Sequence, residues 1–116
     1  MKVIIAGSRN FKDYDRLKKE VDLFTKNMQD VEIVSGGARG ADSYGESYAT
    51  MNGLKLHRIL PDWGNYGRRA ALIRNRQMAV FADACICFWD GKSKGTANMI
   101  KEASENNLEL RIIRID

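Results

Sequence analysis

The chain has 116 residues, 44% hydrophobic and 29% charged, with a formal net charge of +4, which describes one globular domain able to build a modest core without staples and excludes disordered and fibrous classes. A single histidine and two cysteines leave no metal constellation, and no cofactor is expected. The apolar run at residues 1–6 is too short for a signal peptide or a membrane span, so a cytoplasmic protein with no membrane partner is expected.

With no repeat, low-complexity tract or linker, residues 1–116 read as a single domain. Residues 2–6 predict a first strand, followed by the loop Gly7-Ser8-Arg9-Asn10-Phe11 and a helix from about Asp13 with an apolar stripe at Leu17, Val21, Phe24 and Met28. Residues 31–34 predict the second strand. It runs into Ser35-Gly36-Gly37-Ala38-Arg39-Gly40-Ala41-Asp42, three glycines on a strand-to-helix turn. Glycines there let consecutive N–H groups converge on an anion at a helix N-terminus, and Arg39 adds a charge-assisted contact. A plain tight turn is the alternative; three glycines with an arginine between them favour the anion site.

The second helix, residues 41–51, presents Ala41, Tyr44, Tyr48 and Met51 on one side and stops at Asn52-Gly53. The tyrosines read as core or dimer packing. A third strand spans 54–60, then an irregular loop at 61–67 and a long helix at 69–82, opened by Arg68 and Arg69 as an anion contact, a partner contact or a solvated pair. In the loop, Trp63 and Tyr66 either stack on a base or plug the core. Residues 84–89 are continuously apolar, as a strand covered on both faces should be, and Cys85 and Cys87 share one face as buried structural thiols. The loop Asp90-Gly91-Lys92-Ser93-Lys94, a helix from Gly95 or Thr96 to about Asn106, and a fifth strand at 108–115 complete the chain.

Strands separated by helices predict an α/β fold, a single three-layer, Rossmann-like domain with a five-stranded parallel sheet. Right-handed crossovers place the strand-to-helix loops on one edge, where open sheets of this kind bind ligands. That edge is rich in glycine, hydroxyl groups and positive charge, which suits a phosphorylated ligand. Two familiar motifs are excluded: the first glycine of a Walker A loop ending at Gly91-Lys92-Ser93 would fall at Ile86, and no G-x-G-x-x-G follows the first strand. A lone His57 between Leu56 and Arg58 supports no nucleophilic triad.

Arg74-Asn75-Arg76-Gln77-Met78, then Ala82-Asp83-Ala84, an apolar strand and Gly95-Thr96 resemble the signature of SLOG-type Rossmann domains. That superfamily includes the Lonely Guy phosphoribohydrolases, the DNA-processing protein of natural transformation and nucleotide-sensing domains of antiviral systems. Gly7-Ser8-Arg9 and the turn from Gly36 to Asp42 make the chain most similar to the small stand-alone branch related to YspA, found in bacteria and phages, and the resemblance spans nearly the whole chain. It implies that Arg74 matches an arginine of the Lonely Guy enzymes and that Gly95 and Thr96 match the Gly-Thr of their Pro-Gly-Gly-x-Gly-Thr-x-x-Glu loop. The chain departs from that loop in the longer segment at 89–94 and in Asn98, which stands where the enzymes carry glutamate. An amide can neither stabilise an oxocarbenium ion as an anion nor act as a general base. Glu102 is the nearby substitute and reads as an exposed, solvating residue.

The expectation is therefore a nucleotide-derived small molecule bound through phosphate and ribose without turnover, with no catalytic residue assigned. Its candidate ligand-binding residues are Gly7, Ser8, Arg9, Gly36, Gly37, Arg39, Gly40, Asp42, Trp63, Arg74, Asn75, Asp90, Ser93, Gly95, Thr96 and Asn98. Asp42 is either a helix-capping residue or a ribose acceptor. A phosphoribohydrolase-like hydrolase using Asp42, Asp90 or Glu102, and a single-stranded nucleic acid binder using the net charge with Trp63 and Tyr66, are the alternatives. The resemblance also implies a homodimer or larger homo-oligomer.

Overall fold

In a computed structural model that describes residues 1–115, β1 (Lys2–Gly7), β2 (Glu32–Ser35), β3 (Leu56–Arg58), β4 (Ala84–Trp89) and β5 (Glu109–Arg114) form one sheet in the order β3-β2-β1-β4-β5. Every neighbouring pair is parallel. Parallel pairing requires crossovers, supplied by α1 (Tyr14–Thr25), α2 (Ala41–Met51), α4 (Ala70–Phe81) and α5 (Lys94–Glu105); α3 (Trp63–Tyr66) is a single extra turn. The strand order changes direction between β1 and β4, so right-handed crossovers put α1 and α2 on one face and α4 and α5 on the other.

The period-two alternation of the strands sorts the core into two layers. Val3, Ile5, Ile33 and Ile86 meet Leu17, Val21 and Phe24 of α1 and Tyr48 and Ala49 of α2. Ile4, Val34, Cys85 and Cys87 meet Met78, Ala79 and Ala82 of α4 and Met99 and Ala103 of α5. Ile4 and Ile5, one per layer, are fully buried, each burial contributing about 1.5–3 kcal/mol. Both cysteines are free and buried, their sulfurs 3.5 Å apart on the same face.

The structure shortens or shifts several expected elements for local reasons. The third strand covers 56–58 rather than 54–60, because its partner β2 has only four residues and the Leu54 N–H finishes α2 by donating to the Ala49 carbonyl. Met51 is exposed, since the sheet-facing row of α2 is Ala41, Gly45, Tyr48 and Ala49. The loop at 61–67 contains α3, capped by Asp62, whose carboxylate accepts the Asn65 N–H at 3.1 Å. A 3-10 turn, Gly67–Arg69, follows, so Arg68 and Arg69 precede α4 rather than open it. Ser93 caps α5, which starts at Lys94. Glu102, expected in solvent, is buried on the α5 face and lies 3.4 Å from the Arg76 guanidinium. Among the described residues no helix is long and apolar enough to cross a membrane, and no acidic, histidine or cysteine group is arranged to hold a metal.

Candidate functional site

The carboxyl ends of β1 and β4 meet at the reversal in strand order, and a cleft of about 100 Å³ opens there. Gly7 and Arg9 border it from the first loop, Asp42 from α2, Arg74 and Asn75 from α4, and Ser93, Gly95 and Thr96 from the start of α5. A second cleft of about 260 Å³ adjoins it, bordered by Gly36, Gly37 and Arg39 of the glycine turn and by Pro61 and Trp63. Arg9, Ala38, Ala71 and Arg74 border both. The inner cleft is below the ~300 Å³ that small-molecule sites usually reach, so it has room for one group of a small ligand, with the outer cleft as the adjoining space.

Arg74 is held from two sides. Its Nε donates to Asn75 Oδ1 at 2.9 Å, and its Nη1 donates to the Gly36 carbonyl. A Cβ at Gly36 would lie 2.6 Å from that Nη1 and 3.0 Å from Asp42 Oδ2, so the absent side chain at Gly36 makes room for an arginine and a carboxylate. Burial lowers the Arg74 pKa from its usual value, the Asp42 charge opposes this and Arg9 adds to it; a guanidinium stays protonated throughout.

Asp42 occupies the first turn of α2, but Gly40 holds the N-cap position and has no side chain to offer. The Asp42 carboxylate instead reaches back to accept the Ala38 N–H at 3.2 Å, closing the turn while still bordering the inner cleft. Burial pushes its pKa from 3.8 up to about 6, against the Ala38 N–H and Arg74, which favour the charge, while Glu46 works with burial. The native state thus holds this proton more tightly than the unfolded chain. As pH rises from below 4 through about 6, Asp42 comes to cost up to about 3 kcal/mol of stability that it does not cost in acid. Asp42→Asn, which retains an acceptor for Ala38, should therefore outlast the wild type in urea at pH 7.5 and lose that advantage near pH 4. An identical difference between the two proteins at both pH values would contradict this burial.

The glycine turn spends part of its backbone on itself. Gly37 N–H donates to Ser35 Oγ at 3.1 Å, and Ser35 Oγ donates to Glu46 Oε2 at 2.7 Å, which also accepts from Arg58 Nε at 3.2 Å. With Ala38 N–H on Asp42, this turn leaves a ligand the Arg39 and Gly40 N–H groups, which have no partner among the described residues, and the exposed Arg39 side chain.

The start of α5 is open as well. Ser93 Oγ accepts the Thr96 N–H at 3.4 Å and lies 3.1 Å from Thr96 Oγ1, leaving the Lys94 and Gly95 N–H groups without a partner among the described residues. A Cβ at Gly95 would meet nothing within 4 Å. Packing within the protein does not demand glycine there, whereas close approach of a ligand to the helix start would.

Four candidates stand behind the clefts rather than in them. Ser8 Oγ accepts the Asp90 N–H at 3.2 Å, tying the first loop to the loop after β4. Asp90 Oδ1 accepts the Lys92 and Ser93 N–H groups, each at 2.8 Å, which lowers its pKa and shapes the turn that presents Ser93. Gly40 places α2 against the first loop, and Asn98 Oδ1 accepts from Asn75 Nδ2 at 2.8 Å. Trp63 and Tyr66 are exposed, which removes the core-plug reading for both. The sequence offered no pointer to Pro61, Ala71 or the Ser35–Glu46–Arg58 support, because apolar wall residues follow the same periodicity as core residues and a supporting carboxylate looks like any solvated one.

A broader trough of about 560 Å³ lies beyond Asp90, bordered by Lys12, Asp13, Arg16 and Lys92. Its carboxylates are already occupied, Asp13 with Arg16 N–H and Asp90 with the backbone of its own loop, and Arg16 Nη2 donates to the Arg114 carbonyl. It contains none of the glycine turns.

Comparison with known proteins bears on the family and the fold. The model of the YspA, cpYpsA-related SLOG family matches residues 1–66. Gene 61 protein of Mycobacterium phage D29 is 34% identical over 116 residues, covering 90% of this chain and 89% of that protein. Among solved structures, DNA processing protein A of Streptococcus pneumoniae superposes with a TM-score of 0.74 at 20% identity, over 99% of this chain and 50% of that one. DNA processing protein A of Helicobacter pylori, described for its single-stranded DNA binding mode, superposes with a TM-score of 0.77 at 20% identity, over 100% of this chain and 66% of that one. This chain therefore spans half to two thirds of those proteins, and at this identity the likeness shows a shared Rossmann-like fold.

Proposed function

We infer the function from one premise: the chain belongs to the YspA, cpYpsA-related SLOG family. It binds a nucleotide-derived small molecule, phosphate in the inner cleft and base in the outer, and does not turn it over. The observation that carries this reading is Arg74, fixed on the wall shared by two adjoining clefts, each below the ~300 Å³ that small-molecule sites usually reach. The Gly95 end of α5 and Arg9 supply further phosphate contacts, Trp63 supplies a face for the base, and Asp42 accepts from a ribose hydroxyl. Sensing or sequestration in the cytoplasm follows from binding of this kind. A homo-oligomer belongs to the same reading; with Tyr48 used in the core, its contact falls on the outer face of α4, where Val80 is 70% exposed beside Phe81.

The absence of turnover rests on carboxylate chemistry. Asn98 stands where the similar phosphoribohydrolases carry glutamate, Asp90 is bound to backbone, Glu102 lies against Arg76, and Asp42, the one carboxylate bordering the inner cleft, closes the glycine turn through the Ala38 N–H. Loss of a catalytic carboxylate costs ~10² to 10⁴ in rate, whereas contacts to phosphate survive it. Incubation with AMP, cyclic nucleotides and ADP-ribose, followed by chromatography, should return each compound intact. Multiple turnovers that vanish in Arg74→Ala would overturn the reading.

Single-stranded nucleic acid is the second reading, favoured by the DNA-binding Helicobacter pylori relative in fold and by Trp63, Tyr66, Arg68 and Arg69, all exposed in one segment. A salt-dependent shift with oligonucleotides that competes with AMP would favour it.

A further inference from the structure

We propose that Asn75 is the positioning residue of the site: one buried amide locks the Arg74 guanidinium to the N-terminal turn of α5. Asn75 is 4% exposed, and its two amide atoms face opposite chemistry. Arg74 Nε is a donor only, so the atom 2.9 Å from it is Oδ1. The Gly95 carbonyl is an acceptor only, so the atom 3.3 Å from it is Nδ2, which also donates to Asn98 Oδ1 at 2.8 Å. Asn75 thereby joins α4, which supplies the arginine, to the first and second turns of α5, whose Gly95 and Thr96 border the same cleft. Leucine would fill the space without reaching either partner, and aspartate would serve Arg74 but could not donate to Gly95.

The arrangement also gives Asn98 a role. A glutamate there would direct a carboxylate at the Asn75 Nδ2, whereas Asn98 places a neutral acceptor and keeps the amide chain uncharged. Asn75 thus touches no ligand in this account; it sets the direction from which Arg74 meets one.

The test has a ligand-free arm and a binding arm, and only the second rests on the function proposed above. In ¹H–¹⁵N spectra of the unliganded protein, the Arg74 Nε–H resonance, identified by its loss in Arg74→Lys, should be protected from solvent exchange. In Asn75→Leu its exchange should accelerate at least about tenfold, the worth of one buried hydrogen bond to a charged group, while in Asn75→Asp protection persists. If Asn75→Leu does not fold, Asn75→Asp is read instead at Asn98, whose side chain must turn its Nδ2 toward the new carboxylate, so that the Asn98 amide protons gain protection while Arg74 Nε–H keeps its own; no change at Asn98 would count against the proposal. In the binding arm, with AMP as probe, Asn75→Leu should weaken affinity in the wild-type background and change nothing further in Arg74→Ala. An unchanged Arg74 resonance in Asn75→Leu would overturn the proposal. Failure of wild-type protein to bind AMP would instead count against the nucleotide reading, and the exchange arm would still decide the role of Asn75.

Discussion

Arg74→Ala is expected to weaken AMP binding about 100-fold, the worth of two charge-assisted hydrogen bonds to phosphate, while leaving a folded protein. The guanidinium borders both clefts and is already braced by the Gly36 carbonyl and Asn75 Oδ1, so little rotamer freedom is lost when it meets an anion. Its removal relieves the desolvation of one buried charge but also takes a compensating charge from Asp42, so a moderate loss of stability accompanies the lost binding. Arg74→Lys should fall between the wild type and alanine, because one ammonium cannot serve Gly36, Asn75 and a phosphate at fixed angles. Calorimetric titration of the folded variants checks the series. Equal affinity across it would remove Arg74 from the site.

Gly40→Ala should destabilise the protein by about 3 kcal/mol or more. Gly40 has φ 74° and ψ −127°, and an added Cβ would lie 2.3 Å from the Ser8 carbonyl oxygen and 2.6 Å from the Arg9 carbonyl carbon. Those are backbone atoms of the first loop, which also accepts the Ala41 N–H on Ser8 O at 3.3 Å, so nothing flexible can yield. Gly53→Ala is the matched control. It also has positive φ, 64°, but its Cβ would meet nothing within 4 Å, and it should cost only about 1 kcal/mol. Urea midpoints of the two variants separate the terms; equal losses would mean that the contact between the first loop and α2 contributes nothing.

The two layers of the sheet were legible because Val3, Ile4 and Ile5 alternate between faces and because Leu17, Val21 and Phe24 repeat at helical spacing. Local signals of that kind survive folding. What the sequence concealed depended on partners distant in the chain: Glu102 looks solvated until Arg76 and α4 are laid against it, and Met51 looks buried until Gly45 is seen pressed on Ile5. The short α3 carries too few residues for any periodicity, although Asp62 three residues before Asn65 is a capping signal that points to it. For the site, the glycines and arginines of the sheet edge were visible as types, but their division of labour was not. Gly36 makes room for Arg74, Gly40 for the first loop, and Gly95 borders open space, three uses that a sequence writes with the same letter.

The proposed function stands or falls on whether the pair of clefts holds an intact nucleotide against Arg74. Equilibrium dialysis of the wild type and of Arg74→Ala against a mixed pool of mononucleotides, cyclic nucleotides and ADP-ribose, with both compartments quantified by chromatography, tests this directly. At least one nucleotide should be enriched with the wild type, chemically unchanged, and not with Arg74→Ala. A pool left evenly distributed by both proteins, or one converted to products by the wild type alone, would contradict it.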